Sequence, residues 1–347
     1  MKSASIGIAI TILIALPFHG SPGSDGNVAS RVSARVYGAH LALLSDDLFE
    51  GRGTGSHGGR LAARYIAAQF ARLGLEPAGD SGTFYQTFRS EVGGRELTGQ
   101  NVVARLAGRG RQNGEAAVIG AHYDHLGIGP AERGDSIFNG ALDNASGVAG
   151  VLALAEAFAA ADFLPARQIL FVAFDAEEIG LAGSAAFVRR AQRDRIVAMI
   201  DFDGMNIFAR TSDTWALGME YSSLDVDFRR AAREEGIAVR IDPEDASMLA
   251  REEFFTRSDH YSFAKAGIPA LFIWSGYTAT GYPAGWMRDR LEEFLRTRYH
   301  QPDDELQASY SYEGAVQDLK IVARMVAHLS TSPGRPAWKS DSPFQRQ

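Results

Sequence analysis

The chain reads as an α/β protein, a central sheet flanked by helices, and three observations predict it. Apolar runs of strand length, among them Ala117–Ala121, Gln168–Phe174, Ile196–Ile200 and Pro269–Trp274, are continuous rather than alternating, as strands covered on both faces are. Segments patterned as helices separate most of them. The first three runs each stop abruptly at His or acidic residues: His122 and Asp124, then Asp175, Glu177 and Glu178, then Asp201 and Asp203. In open α/β sheets the functional crevice lies at the carboxyl ends of the strands, so these stops point to a site.

With 347 residues there is room for one large domain and a sizeable core. A formal net charge of -7 and no basic stripe argue against a nucleic-acid surface. There is no cysteine, which excludes disulfides, thiolate metal sites and cysteine nucleophiles together, so any metal ligand must be His, Asp or Glu. The N-terminus has Lys2, an apolar run from Ile6 to Leu16 and then Pro17, the pattern of a secretory signal. The run is shorter than the roughly 20 apolar residues that span a bilayer, so no stable membrane span is expected. Residues 1–20 are read as the signal peptide, which implies an exported protein, periplasmic or extracellular. His19 and Gly20 do not form a small-x-small cleavage signature, so the cut after Gly20 is the least defined part of that reading. Residues 21–27 read as a linker, 28–330 as a single domain, and 331–347, rich in Pro, Ser and Gly, as a disordered tail.

Taken in order, Gly53, Gly55 and Gly58 stand in a G-x-G-x-x-G spacing before a helix with apolar Leu61, Ile66, Phe70 and Leu73. A dinucleotide fingerprint needs a strand immediately before it, and Leu44–Glu50 carries paired acids without alternation, so the glycines are read as a loop capping that helix. Phe84–Phe88 and Asn101–Leu106 read as strands. After Ala117–Ala121 come His122, Asp124 and His125, a polar loop, and Asp143 and Asn144 at the start of an Ala-rich helix over Ser146–Ala160. A helix from about Leu181 to Arg193 and an amphipathic one over Ser223–Glu235 follow their strands. Ser275–Trp286, aromatic and Gly-rich, reads as a long loop forming a wall of the site, and Tyr312–Leu329 as a closing helix.

The strand ends supply the donors that a pair of metal ions needs: a carboxylate to bridge, terminal ligands for each ion, and one carboxylate left free as a base. Adjacent Glu177 and Glu178 can point apart, one to coordinate and one to take a proton from water. Any one of these acids alone could equally cap the next helix; their joint appearance at successive strand ends favours a metal site.

The segments H-Y-D-H-L-G, N-G-A-L-D-N-A-S-G, F-D-A-E-E-I-G-L-A-G-S, D-F-D-G-M-N, R-S-D-H-Y-S-F-A-K-A-G-I-P-A and Y-H-Q-P-D-D resemble, in that order, the co-catalytic di-zinc aminopeptidases, relatives of glutamate carboxypeptidase and glutaminyl cyclase. L-F-E-G-R-G-T-G-S looks like the N-terminal element of longer bacterial members. The resemblance covers roughly Leu41 to Leu329. It implies the zinc-dependent exopeptidase fold, a three-layer sandwich with a mixed, mostly parallel sheet, and it implies two zinc ions and peptide substrates. Transferred residue by residue, it makes Asp143 the bridge, His122 and Asp203 ligands of one ion, Glu178 and His300 ligands of the other, Glu177 the general base and Tyr299 a phenol that steadies the oxyanion. Asp124 is expected to hydrogen-bond His122, while His125 and His260 are expected not to coordinate. The short stretch between Phe88 and Asn101 implies that the domain some relatives insert there is absent, and the long stretch Tyr277–Arg298 implies an altered specificity pocket. A carboxypeptidase or dipeptidase on the same metal core, and a glutaminyl cyclase, are the alternative readings. No G-x-S-x-G elbow supports a serine hydrolase.

Overall fold

The computed structural model describes residues 25–345 apart from Gly93, Asp242 and Glu252. The predicted signal segment 1–20 and the start of the linker lie outside the described residues. Strands are β1 (Glu76–Pro77), β2 (Tyr85–Val92), β3 (Arg95–Leu106), β4 (Ala116–His122), β5 (Gly127–Glu132), β6 (Asp135–Phe138), β7 (Gln168–Phe174), β8 (Ile196–Asp201), β9 (Asp213–Leu217), β10 (Ala238–Val239) and β11 (Ala270–Ser275). Helices are α1 (Asp25–Arg31), α2 (Ala34–Leu44), α3 (His57–Arg72), α4 (Ser146–Ala160), α5 (Ala182–Arg190), α6 (Leu224–Glu234), α7 (Pro243–Arg251), α8 (His260–Lys265), α9 (Trp286–Thr297) and α10 (Glu313–Thr331).

Nine strands form one sheet in the order β1-β3-β7-β4-β8-β11-β9-β10, with β2 paired to β3. The middle four, β7-β4-β8-β11, run parallel, and antiparallel pairings attach β3 at one side and β9 at the other. The sheet is therefore mixed: its centre is parallel, and the short edge strand β10 is again parallel to β9. In the centre both faces are covered and the strands read as unbroken apolar runs.

Alternation sorts each central strand between two cores. Ala117, Ile119 and Ala121 of β4, with Ile169, Phe171 and Ala173 of β7, join the larger core under α1 to α4, α6 and α10. Val118, Val172 and Phe174 face the other way, into a smaller core closed by Phe187 of α5 and Phe263 of α8. This is the expected helix–sheet–helix layering. Strand β4 lies between β7 and β8, although β7 follows it and β8 comes after that. The strand order thus reverses at the tip of β4, where such sheets open their crevice.

Two elements differ from the sequence reading. The polar loop after His125 contains a hairpin, β5–β6. Residues 331–347 were read as a disordered tail, but Thr331 closes α10 and the described residues after it pack on the body: Ser223 N–H donates to the Ala337 carbonyl at 2.8 Å and Lys339 N–H to that of Tyr221 at 2.8 Å. The Phe344 ring centre lies 5.4 Å from both Tyr221 and Phe255. Composition suggested disorder, but Arg167 satisfies the backbone there by donating to Ser332 and Gly334 at 2.7 and 2.6 Å, and the aromatic contacts add apolar burial. Among the described residues no helix is long and apolar enough to cross a membrane.

Candidate metal centre

Because β4, β7 and β8 are parallel, their carboxyl ends share one edge, and the chain leaves that edge carrying His122, Glu177 with Glu178, and Asp203. The loop before α4 adds Asp143, and the turn after α9 adds His300, a non-glycine residue at φ +57°.

Asp143 sits in the middle. Its Oδ1 is 3.4 Å from His122 Nε2, which is also 3.3 Å from Asp203 Oδ1. Its Oδ2 is 3.2 Å from His300 Nε2, which is also 3.1 Å from Glu178 Oε2. One carboxylate thus divides its two oxygens between two His–carboxylate pairs. His122, Asp143 and Asp203 offer donor atoms close enough together to hold one ion, as do His125, Asp143 and Glu178. All of the donors are nitrogen or carboxylate oxygen, a set that suits zinc.

The electrostatics follow from burial opposed by neighbours. Burial alone would lower the pKa of the His122 imidazole, but Asp203, Glu177 and Asp143 raise it well above its usual value. Burial would likewise raise Asp143, yet hydrogen bonds from His122 and His300 hold it well below the carboxylate range. Glu177 goes the other way. Its burial, backed by the carboxylates of Asp203, Asp259 and Glu178, outweighs His122 and pushes it well up. Two adjacent glutamates thus have opposite proton affinities, since burial of Glu178 is outweighed by His125 and His300, which lower it.

Asp124 requires a correction. Its carboxylate Oδ1 lies 3.8 Å from His122 Nδ1, whereas its backbone carbonyl is 3.1 Å from that nitrogen. The carboxylate is drawn instead to the amides of Glu177 and Glu178, which donate to it at 3.1 and 3.3 Å and fix the glutamate turn. His125, set aside on sequence, is integral to the site: its Nδ1 is 2.6 Å from Glu178 Oε1 and its ring packs on that of His300. The H-x-x-H spacing was the available signal. Asp304 was missed as well. It accepts the amides of Leu142 and Asp143 at 3.0 Å each and so clamps the loop that presents Asp143. His260 stands apart from the donor groups, its Nδ1 3.2 Å from Asp201 Oδ2, and joins α8 to the end of β8. Asp259, beside it, is wholly buried.

A pocket opens beside the donors, with Asp143, Glu177, Asp203 and Tyr299 at its polar end and Phe254, Phe272, Trp274, Met287, Leu291 and Phe294 as its apolar walls. Helix α9, part of the long stretch after Tyr277, supplies three of those walls.

Among known proteins, the chain is 30% identical over 275 residues to leupeptin-inactivating enzyme 1 of Streptomyces exfoliatus, covering 77% of this chain and 56% of that protein. It is 27% identical over 235 residues to aminopeptidase YwaD of Bacillus subtilis, covering 64% and 46%. The chain therefore spans about half the length of these relatives. The solved aminopeptidase from Aneurinibacillus sp. strain AM-1 superposes with a TM-score of 0.62 over 93% of this chain and 100% of that one, at 18% identity, a likeness of fold. Residues 101–326, which carry β4, β7, β8 and every donor described above, match the pattern of Peptidase family M28, and the chain belongs to that family.

Proposed function

We propose that the protein is a zinc-dependent aminopeptidase holding two zinc ions, with Asp143 between them, His122 and Asp203 on one side and Glu178 and His300 on the other. The observation that carries this reading is the division of the Asp143 oxygens, 3.4 Å from His122 and 3.2 Å from His300. Zinc held there would polarise the scissile carbonyl and make water acidic enough to attack near neutral pH. Glu177, which lines the pocket and is not needed as a ligand in this reading, takes as its carboxylate the proton of the attacking water while the water oxygen bonds to the carbonyl carbon. When the C–N bond breaks, its electron pair stays on the amine nitrogen, and Glu177 returns the proton there. The Tyr299 phenol, at the pocket's polar end, donates to the oxygen that gains charge. The aromatic and aliphatic walls favour a large apolar N-terminal side chain. The N-terminal Ile6–Leu16 run supports export.

The test is a panel of aminoacyl p-nitroanilides with the purified protein, as isolated, after chelation and after zinc is returned, with N-acetylated substrates in parallel. The reading expects Leu and Phe substrates to be cleaved, acetylated ones to be spared, and zinc to restore the activity that chelation removes. Cleavage of acetylated substrates, or undiminished activity after complete chelation, refutes it.

A further inference from the structure

The N-terminal element that carries the glycine spacing is not absorbed by the catalytic reading, and it lies wholly before the family match, which begins at residue 101. It forms a short 3-10 turn, Asp47–Arg52, leading into the Ser56 cap of α3. It lies tight against the β5–β6 hairpin: a side chain at Gly51, which has φ +63°, would meet the carbonyls of Gly127 and Phe138 at 2.5 Å.

Arg52 at its end is 1% exposed, a buried cation. Among the described residues its guanidinium has no carboxylate within hydrogen-bond reach; it donates to four backbone carbonyls instead. Nε reaches Tyr123 at 2.8 Å, Nη1 reaches Leu44 and Asn139 at 2.6 Å each, and Nη2 reaches Gly140 at 2.9 Å. Tyr123 directly follows His122, and Asn139–Gly140 lead into the Asp143 loop. Two positions on, the Thr54 hydroxyl donates to Asp124 Oδ2 at 3.2 Å, on the carboxylate that fixes the Glu177–Glu178 turn. Asp304, Asp143, Asp124 and Glu178 act on Arg52 electrostatically and partly offset the desolvation of its charge.

A buried guanidinium bound to neutral carbonyls is expensive unless its position matters or nearby charge compensates it. The planar fork of donors also has a property that a lysine lacks, fixing several acceptors at set angles at once. We propose that Arg52 is a positioning residue of the metal centre: it ties the end of β4 to the Asp143 loop, so that His122 and Asp143 stand in binding geometry before metal arrives, and Thr54 does the same for the glutamate turn through Asp124.

The inference rests on the metal-centre reading but not on the reaction, so its test measures metal binding without substrate. Zinc affinity is determined by competition with a chromophoric chelator, and the visible spectrum of the cobalt-loaded protein is recorded, for the full chain, Arg52→Lys and Thr54→Val. Arg52→Lys keeps the charge and loses the fork. Groups that orient metal ligands typically contribute about 10–100-fold in affinity, so Arg52→Lys is expected to weaken zinc binding at least tenfold and to shift the cobalt bands. Thr54→Val is expected to weaken it a few-fold. A purely structural role for Arg52 would lower the melting temperature and leave affinity and spectrum unchanged, and that result overturns the proposal. If Arg52→Lys does not fold, Thr54→Val decides: wild-type affinity and spectrum there overturn it. Absence of zinc binding by the unaltered protein overturns both this proposal and the metal centre. Zinc binding without peptide cleavage refutes only the aminopeptidase reading.

Discussion

Replacing Glu177 by glutamine tests the division of labour between the two adjacent glutamates. The change keeps the side chain's length and leaves the amide that Glu177 donates to Asp124 at 3.1 Å, so the turn is preserved. It removes the one capacity assigned to this residue, accepting a proton. Glu178 cannot take over, because its two oxygens are engaged by His125 at 2.6 Å and His300 at 3.1 Å. Loss of a general base costs about 10²–10⁴ in rate. At about 1.4 kcal/mol per decade, that is roughly 3–5 kcal/mol of transition-state stabilisation. The loss belongs in kcat with KM little changed, since the apolar pocket walls that hold the side chain are untouched. The assay is steady-state hydrolysis of leucine p-nitroanilide, run beside a measurement of bound zinc. Glu177 is also near enough to His122 and Glu178 to belong to a possible donor group. The zinc count therefore discriminates: Glu177→Gln should retain the full complement. A rate within fivefold of the parent refutes the base assignment, and a lost ion makes Glu177 a ligand instead.

Two further outcomes follow from packing and from burial. Gly147→Ala would bring a methyl within 2.6 Å of the Phe202 carbonyl and against the Asn144 side chain, which accepts from Gly147 N–H and donates to Phe202. It should cost about 1–3 kcal/mol by thermal unfolding and, by shifting the residue next to Asp143, weaken zinc binding about tenfold in chelator competition; unchanged values for both contradict the packing argument. His40, buried in α2 with its Nδ1 2.7 Å from the Tyr65 hydroxyl, has its pKa lowered to about 4 by burial. The unfolded chain protonates this residue near 6.5, so it takes up the proton first, and stability falls as pH drops from about 6.5 toward 4, by about 2.5 kcal/mol at pH 4.5. In urea titrations His40→Gln should flatten that part of the stability profile, and a parallel profile would show that the imidazole is already charged in the folded protein.

What could be read from the sequence was whatever a parallel sheet converts into linear order. Each central strand is buried on both faces, so it appears as an apolar run, and its carboxyl end is marked by the first polar residue after the run; His122, Asp175 and Asp201 could be located this way without coordinates. Glu177, Glu178 and Asp203 follow within a few residues, which is why the candidate donors were legible as a set. His300 stood out from sequence only as a lone late histidine, and its ligand role and that of the Tyr299 phenol came through resemblance, because no apolar strand runs into them; they follow the amphipathic helix α9. The parts that were missed share a physical cause. Arg52 has backbone carbonyls as partners, 71 to 88 positions away in three of its four contacts, and a carbonyl leaves no trace in residue identity. Asp304 likewise acts on amides, those of Leu142 and Asp143. Asp124 was assigned a side-chain partner because sequence displays side chains, yet two amides and the Thr54 hydroxyl claim its oxygens. The same holds at the C-terminus, where Pro, Ser and Gly promised disorder and Arg167 meets the main chain. In this fold three of the residues that would touch metal, His122, Glu178 and Asp203, are written at strand ends, while those that aim the donors work largely through the main chain. A scan for side chains that could hold metal finds the first group, passes over Arg52 and gives Asp124 and Asp304 the wrong role or none.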